Sequence, residues 1–309
     1  MTMPSEWATK TMQSAAFVKP NLRIIPRLDI KGQNLVKGIH LEGLRVLGKP
    51  ERFARYYYEQ GADELLYVDI VASLYGRNNL LAIIERTARE IFIPLTVGGG
   101  LRSIEDIRNA LRAGADKVAI NTAAVRCPGF LREAAQKFGS STVVLSIEAI
   151  KQPSGNYEAY TDNGRERAGL DVFEWAMRGV ELGAGEILVT SVDREGTGLG
   201  FDLELSRRMA ELVPVPVIAC GGAATVEHVK QVATIAKVQA VSIASVLHYN
   251  LVRQIIPDGK PFGDFETHLL QPATISSKFE ETSLAALKRE LDAGGVNCRL
   301  LSAAEEVLR

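Results

Sequence analysis

Two carboxylates and two glycine-rich turns are the groups in this sequence best placed to do chemistry. Asp29 follows the apolar run Arg23-Ile24-Ile25-Pro26-Arg27-Leu28, and Glu148 follows Val143-Val144-Leu145-Ser146-Ile147. Burial and mutual repulsion drive the pKa values of two such carboxylates apart, leaving one as acid and one as base. The competing reading pairs each carboxylate with a neighbouring lysine, Lys31, Lys37 or Lys151. Gly98-Gly99-Gly100 and Gly221-Gly222 let backbone amides approach a ligand, and each precedes a helix whose N-terminus favours an anion. Asn121-Thr122 and Ala244-Ser245 come after the next apolar run in each case, and their amides and hydroxyls suit phosphate oxygens. Together they read as two phosphate cups, although a lone glycine pair more often marks only a tight turn. The turn Asp193-Arg194-Glu195-Gly196-Thr197-Gly198 could complete the second cup, and Asp69, Asp193 and Glu195 are expected to shape the ligand site.

Other chemistries fit less well. His40, His228, His248 and His268 have no ligand spacing, so no metal site is expected. No glycine fingerprint for a dinucleotide follows the first apolar run, so no cofactor is expected. Ser191 and Cys220 have no suitably spaced histidine. A Schiff base on Lys37 or Lys117 stays open, because both are read as lying near strand ends.

The elements that must position these groups are short β-branched runs alternating with helical stretches, the pattern of successive βαβ units. The spacing predicts strands over 22–29, 64–70, 93–97, 117–120, 143–147, 186–190, 215–219 and 239–243. Helices are predicted over 50–60, 78–90, 103–113, 128–138, 171–182, 202–213 and 225–234, with 280–294 helical again. Ser103 and Thr225 read as caps, and Gly61, Gly114, Gly139 and Gly183 fall just past helix ends.

The chain also repeats itself. Ile93-Pro94-Leu95-Thr96-Val97-Gly98-Gly99-Gly100 is matched by Val215-Pro216-Val217-Ile218-Ala219-Cys220-Gly221-Gly222, 122 residues on. Asp29 and Glu148 stand at nearly that offset. A repeat of this length is half a barrel, so the fold class is an α/β (β/α)8 TIM barrel with an internal half-barrel repeat. An open doubly wound sheet would not explain two matched halves. In a barrel, Asp29 on the first strand and Glu148 on the fifth face each other across the mouth. Residues 1–20 read as an N-terminal arm, 21–309 as a single barrel, and about 251–280, with Pro257, Gly259, Pro261, Gly263 and Pro272, as an insertion.

Composition sets the limits. With 36 basic and 37 acidic residues there is no call for nucleic acid or an anionic membrane as partner. Three scattered cysteines suit a reducing compartment, and neither a leader nor a spanning run of ~20 apolar residues is evident. A cytoplasmic enzyme is the expectation.

The motifs Arg23-Ile24-Ile25-Pro26-Arg27-Leu28-Asp29, Leu35-Val36-Lys37-Gly38, Thr96-Val97-Gly98-Gly99-Gly100, Asp116-Lys117-Val118-Ala119-Ile120-Asn121-Thr122-Ala123 and Gly185-Glu186-Ile187-Leu188-Val189-Thr190-Ser191 together resemble one family. It is the cyclase subunit, HisF type, of imidazole glycerol phosphate synthase. The resemblance runs through most of 21–250 and resumes at Gly295-Val296-Asn297-Cys298-Arg299. It implies a lyase of histidine biosynthesis that takes ammonia from a glutaminase subunit of the HisH type. The substrate would be a bisphosphorylated small molecule, a phosphoribulosyl aminoimidazole-carboxamide ribonucleotide. The products would be imidazole glycerol phosphate and an aminoimidazole-carboxamide ribonucleotide.

By this resemblance Asp29 and Glu148 are the catalytic pair. Lys37 and Glu195 lie on the substrate. Gly100, Asn121 and Thr122 hold one phosphate, and Gly196, Gly222, Ala244 and Ser245 the other. Arg23, Glu64, Lys117 and Glu186 match the ring of charges through which the family admits ammonia, implying a glutaminase at the N-terminal face of the barrel. The sequence departs from the family pattern at Glu148 and Glu195, both aspartate in the family, and in the loop Gly38–Pro50. A methylene's shift in a catalytic group can cost on the order of 10²-fold in rate. These departures keep three alternatives open: a relative that uses ammonia to amidate a sugar in surface-polysaccharide synthesis, a non-catalytic activator of a glutaminase, and a phosphoribosyl isomerase. The last would have no use for the charged ring.

Overall fold

The computed structural model describes residues 21–72, 80–255 and 278–301. Strand β1 (Arg23–Lys31) runs into a hairpin, β2 (Asn34–Ile39) and β3 (Glu42–Gly48). Then follow β4 (Leu65–Asp69), β5 (Leu95–Gly98), β6 (Lys117–Ile120) and β7 (Val143–Lys151). A second hairpin, β8 (Tyr157–Thr161) and β9 (Glu166–Asp171), extends β7. The chain continues through β10 (Glu186–Ser191), β11 (Val217–Cys220) and β12 (Ala240–Ile243). Eight of these strands pair in parallel in the order β1, β4, β5, β6, β7, β10, β11, β12, and β12 pairs with β1 again. The sheet therefore closes into the expected (β/α)8 barrel.

The helices that return the chain are amphipathic and capped by the residue types the sequence offers. Ile104–Arg112 begins at Ser103, whose hydroxyl and the Asp106 carboxylate form a reciprocal capping box. Asp171, Asp202, Thr225 and Ser283 cap the helices that follow them. Gly61, Gly114, Gly139 and Gly183 all take positive φ where helices stop. The strands expected from 93 and 215 start two residues later, at Leu95 and Val217, because Pro94 and Pro216 have no N–H to give a ladder.

Strand alternation separates two cores. The larger lies between strands and helices and contains Leu28, Phe53, Tyr67, Ile107, Leu145 and Val189. The smaller fills the lumen with Ile25, Leu66, Ala119, Val144, Leu188, Ile218, Cys220 and Ala240. On β1 the period of two puts Arg23, Ile25, Arg27 and Asp29 on this inner face.

Residues 251–255 continue the helix Ser245–Ile255, so this first part of the expected insertion is helical. The arm over 1–20 and most of that insertion lie outside the described residues. Among the described residues no helix is long and apolar enough to cross a membrane.

The two hairpins, absent from the expected elements, roof the mouth. The turn of the first has His40 and Leu41 at φ 50° and 64°. Such backbone costs roughly 1–2 kcal/mol per residue without glycine, and contacts on three sides hold it. The His40 amide donates to the Glu195 carbonyl at 2.8 Å, and its Nδ1 lies 2.9 Å from the Val192 carbonyl. Asn163, in the turn of the second hairpin, donates to the Leu41 carbonyl at 3.1 Å and so joins the two roofs.

Candidate functional site

Asp29 is buried at the mouth in a chain of ion pairs. Arg27 Nε donates to its Oδ1 at 2.8 Å, Lys37 Nζ stands 3.6 Å from Oδ2, and Lys37 also bonds Glu195. Burial would raise the Asp29 carboxyl, but Arg27 and Lys37 more than offset it and hold it below its ordinary value. It is therefore ionised at neutral pH. Burial would likewise strip the proton from Lys37, and Glu195 and Asp29 keep it cationic. A Schiff base needs a neutral amine, so this lysine does not suit one. His248 sits behind the group, with Nε2 2.8 Å from the Arg27 carbonyl and Nδ1 2.6 Å from the Tyr57 hydroxyl. A carbonyl only accepts, so Nε2 carries the hydrogen; burial and nearby Lys37 push the ring down to about 3, and it stays neutral.

Glu148 is the opposite case. Its carboxyl borders the mouth cavity, and among the described residues it has no ion-pair partner within reach. Burial pushes it up to about 7, offset only in part by the Gly164 amide, which donates to Oε2 at 2.7 Å, and by the field of Arg27. Gly164 belongs to the β8–β9 turn, where Asp162, Asn163 and Gly164 all take positive φ. The longer side chain at 148 thus meets a donor supplied by the second hairpin.

The residues expected to form the first phosphate cup line one cavity. A cavity of about 400 Å³ is lined by Gly98, Gly99, Gly100, Asn121, Thr122 and Glu148, with Asp69 and Arg126 at its edge. A Cβ at Gly99 would lie 2.2 Å from the Asp69 carbonyl, so only glycine brings the backbone this close. At the helix start the cap uses part of the amide supply. The Arg102 and Ser103 amides both donate to Asp106, and the Asp106 amide donates to Ser103, so only the amides between them, of Ile104 and Glu105, are left to meet an anion there. The same holds in the other half, where the Val226 amide donates to Glu280 and the His228 amide to Thr225.

The second cup is brought together only in part. Gly196 lines a cavity of about 600 Å³ beside Lys37 and Thr197. Gly222, Ala244 and Ser245 are buried and line neither cavity. The segment after β10 folds across Gly222, whose carbonyl accepts from the Gly200 amide at 2.9 Å.

At the opposite end lies the charged ring. Arg23 bonds Glu64 at 2.5 Å and also bonds Glu186, while Lys117 reaches both carboxylates at 3.0 Å. All four residues sit at or just before the first residue of a barrel strand, so strand register alone gathers them. Lys117 is thereby corrected as a Schiff-base candidate: it begins β6 at the barrel bottom, away from the mouth.

Two contributors escaped the sequence reading. Arg27 stood inside a quoted motif with no role, although the alternation 23, 25, 27, 29 puts it on the face of Asp29. The β8–β9 turn carries Asn163-Gly164, a hairpin signal between alternating runs. Among the described residues no cluster of His, Cys, Asp and Glu could hold a metal.

Comparison with known proteins adds the context. Residues 23–253 match the family model described as "Histidine biosynthesis protein". The chain is 59% identical, over 208 residues, to the imidazole glycerol phosphate synthase subunit HisF of Legionella pneumophila, covering 67% of this chain and 98% of that protein.

Proposed function

The chain belongs to the histidine-biosynthesis protein family as an enzyme of the HisF cyclase type, and from that premise we propose that Glu148 and Asp29 carry its acid–base steps. The observation that carries the assignment is the split between them: a carboxyl near neutrality on the open cavity beside an ionised one clamped by two cations. Addition of ammonia to a carbonyl and loss of water need a proton on the departing oxygen. Glu148, partly protonated at neutral pH, supplies it. Closing the ring and releasing the second product pass through cationic nitrogen, and Asp29 offers the fixed negative charge beside which it forms and the site that takes up its proton.

The substrate is a phosphoribulosyl aminoimidazole-carboxamide ribonucleotide. One phosphate rests on the amides and hydroxyls of Gly100, Asn121 and Thr122. The other lies toward Gly196, Gly222, Ala244 and Ser245, with the segment after β10 displaced to admit it. Lys37 and Glu195 border that end. As one subunit of a synthase, the chain works with a glutaminase of the HisH type, which we place at the barrel bottom, where Arg23, Glu64, Lys117 and Glu186 admit ammonia. The compartment is the cytoplasm. Nothing in the comparisons favours the sugar-amidating alternative.

The deciding experiment is single-turnover conversion of that precursor by the isolated chain in ammonium salt at mildly alkaline pH. Imidazole glycerol phosphate in the mass spectrum supports the reading. Unchanged precursor in the presence of folded protein defeats it and turns the search to sugar substrates.

A further inference from the structure

Arg27 is 3% exposed and lies wholly inside the barrel. Its guanidinium leaves β1, passes over β12, and reaches Thr190 Oγ1 on β10 at 3.3 Å and Cys220 Sγ on β11 at 3.5 Å. In the closed order β10 stands three places from β1, so the side chain is a chord across the lumen. Beneath it is the apolar layer of Ile25, Leu66, Val144 and Leu188. Above it is Asp29, held through Nε. The far end of the chord also has a defined neighbour: Thr190 pairs in register with Glu148.

We infer that Arg27 is a positioning residue for the reaction proposed above, a fixed cation that clamps the Asp29 carboxylate from inside the lumen while its other end lies beside the strand position of Glu148. It touches no reacting atom; it sets where one carboxylate points and biases the charge of both. The planar fork suits this task because it donates in two directions at once, Nε to the carboxylate and Nη1 to the opposite wall. The backbone below is pinned as well, since the Arg27 carbonyl accepts from His248.

The competing account is a buried ion pair that only stabilises the fold, and pH behaviour separates the two. The groups around the Arg27–Asp29 pair are Lys37 from β2, Glu195 from the turn after β10, Glu148 from β7, Cys220 from β11 and His248 from the helix Ser245–Ile255. Of the two cations, Arg27 acts the more strongly on Asp29.

The test uses Arg27→Met and Arg27→Lys in the full chain, with the phosphoribulosyl precursor and ammonium chloride. We expect Arg27→Met to lose on the order of 10²-fold in kcat, with KM for the precursor changed a few-fold at most. The acid limb of its pH–rate profile should move to higher pH. A readout independent of turnover is the carboxyl ¹³C titration of Asp29, assigned with Asp29→Asn; it should move to higher pH in Arg27→Met. Arg27→Lys keeps the charge, so the low titration should return with only part of the rate. Arg27→Met with the rate, acid limb and Asp29 titration of the unaltered chain would overturn the inference. If the unaltered chain fails to convert the precursor, the functional reading falls, and the titration alone still decides whether Arg27 is the clamp.

Discussion

The two ends of the barrel are built from the same ingredients and behave differently. Each holds two cations and two carboxylates: Arg23, Lys117, Glu64 and Glu186 at the bottom, Arg27, Lys37, Asp29 and Glu195 at the mouth. At the bottom the four form a closed ring in which each carboxylate bridges both cations. At the mouth they form an open chain, Arg27 to Asp29 to Lys37 to Glu195, and its side chains are 1–5% exposed against 7–24% in the ring. The decisive difference is a fifth group. Glu148 joins the mouth without an ion-pair partner among the described residues, and burial pushes it up to about 7. The ring leaves no carboxylate without a cation, whereas a neutral chain plus one unmatched carboxyl can move protons.

Substituting the unmatched group should have the largest effect. Glu148→Gln retains an acceptor for the Gly164 amide but cannot donate or accept a proton. It should lower ammonium-driven kcat by on the order of 10²–10⁴-fold with an unaltered circular dichroism spectrum. Any limb of the pH–rate profile near 7 should vanish with it. The matching change in the ring, Glu64→Gln, should leave turnover with free ammonium within a few-fold. Equal losses from the two variants would erase the distinction between the ends.

How much of this was legible follows the same division. The ring residues stand at or just before strand starts, so their gathering follows from where strands begin, and the sequence pattern shows that directly. The places of Asp29, Glu148 and the residues expected to form the first cup were readable for a similar reason: each follows the apolar run of a barrel strand, although β1 and β7 continue past the two carboxylates and only β5 stops at its glycines. The roof was not. Its hairpins are insertions whose register depends on tertiary partners, such as the His40 amide on the Glu195 carbonyl across more than 150 residues of chain. Helix caps misled in another way. Ser103 and Thr225 mark helix starts correctly, yet each cap takes one of the first-turn amides a ligand could use, so a strong helix signal is not by itself an anion signal. Neither the covering of Gly222 by Gly200 nor the lumen-spanning reach of Arg27 has a local signature.

The ring should instead reveal itself in stability. Lys117→Met leaves Glu64 and Glu186 sharing a single cation, Arg23, in a partly buried site. Removing one partner of a buried ion pair costs about 3–5 kcal/mol, and partial exposure reduces this to about 3. The loss should appear as a lower urea midpoint, largely suppressed when Glu64→Gln is combined with it, because the second change removes the one negative charge left unmatched. Additive losses in the double variant would mean that the four residues do not act as one ring.

The smallest effect sets the two mouth carboxyls against each other through pH. Asp29 has a folded pKa below its unfolded one, so its contribution to stability is full above the unfolded pKa and is lost as pH falls through the folded value. Glu148 has the opposite sign. Its folded pKa, about 7, lies above its ordinary value of 4.5, so the folded state holds a proton that the unfolded state has released, and stability falls as pH rises between those values. Above neutrality the ionised carboxylate costs the fold about 2 kcal/mol, after allowance for the part of it that opens onto the cavity. Glu148→Gln removes that cost while keeping the bond to Gly164. Urea unfolding at pH 5 and pH 8 should therefore give nearly equal midpoints for the variant and the unaltered chain at the lower pH, and a more stable variant at the higher. A difference that stays constant with pH would mean that Glu148 is ionised across the whole range, and the contrast between the unmatched carboxyl and the saturated ring would lose its physical basis.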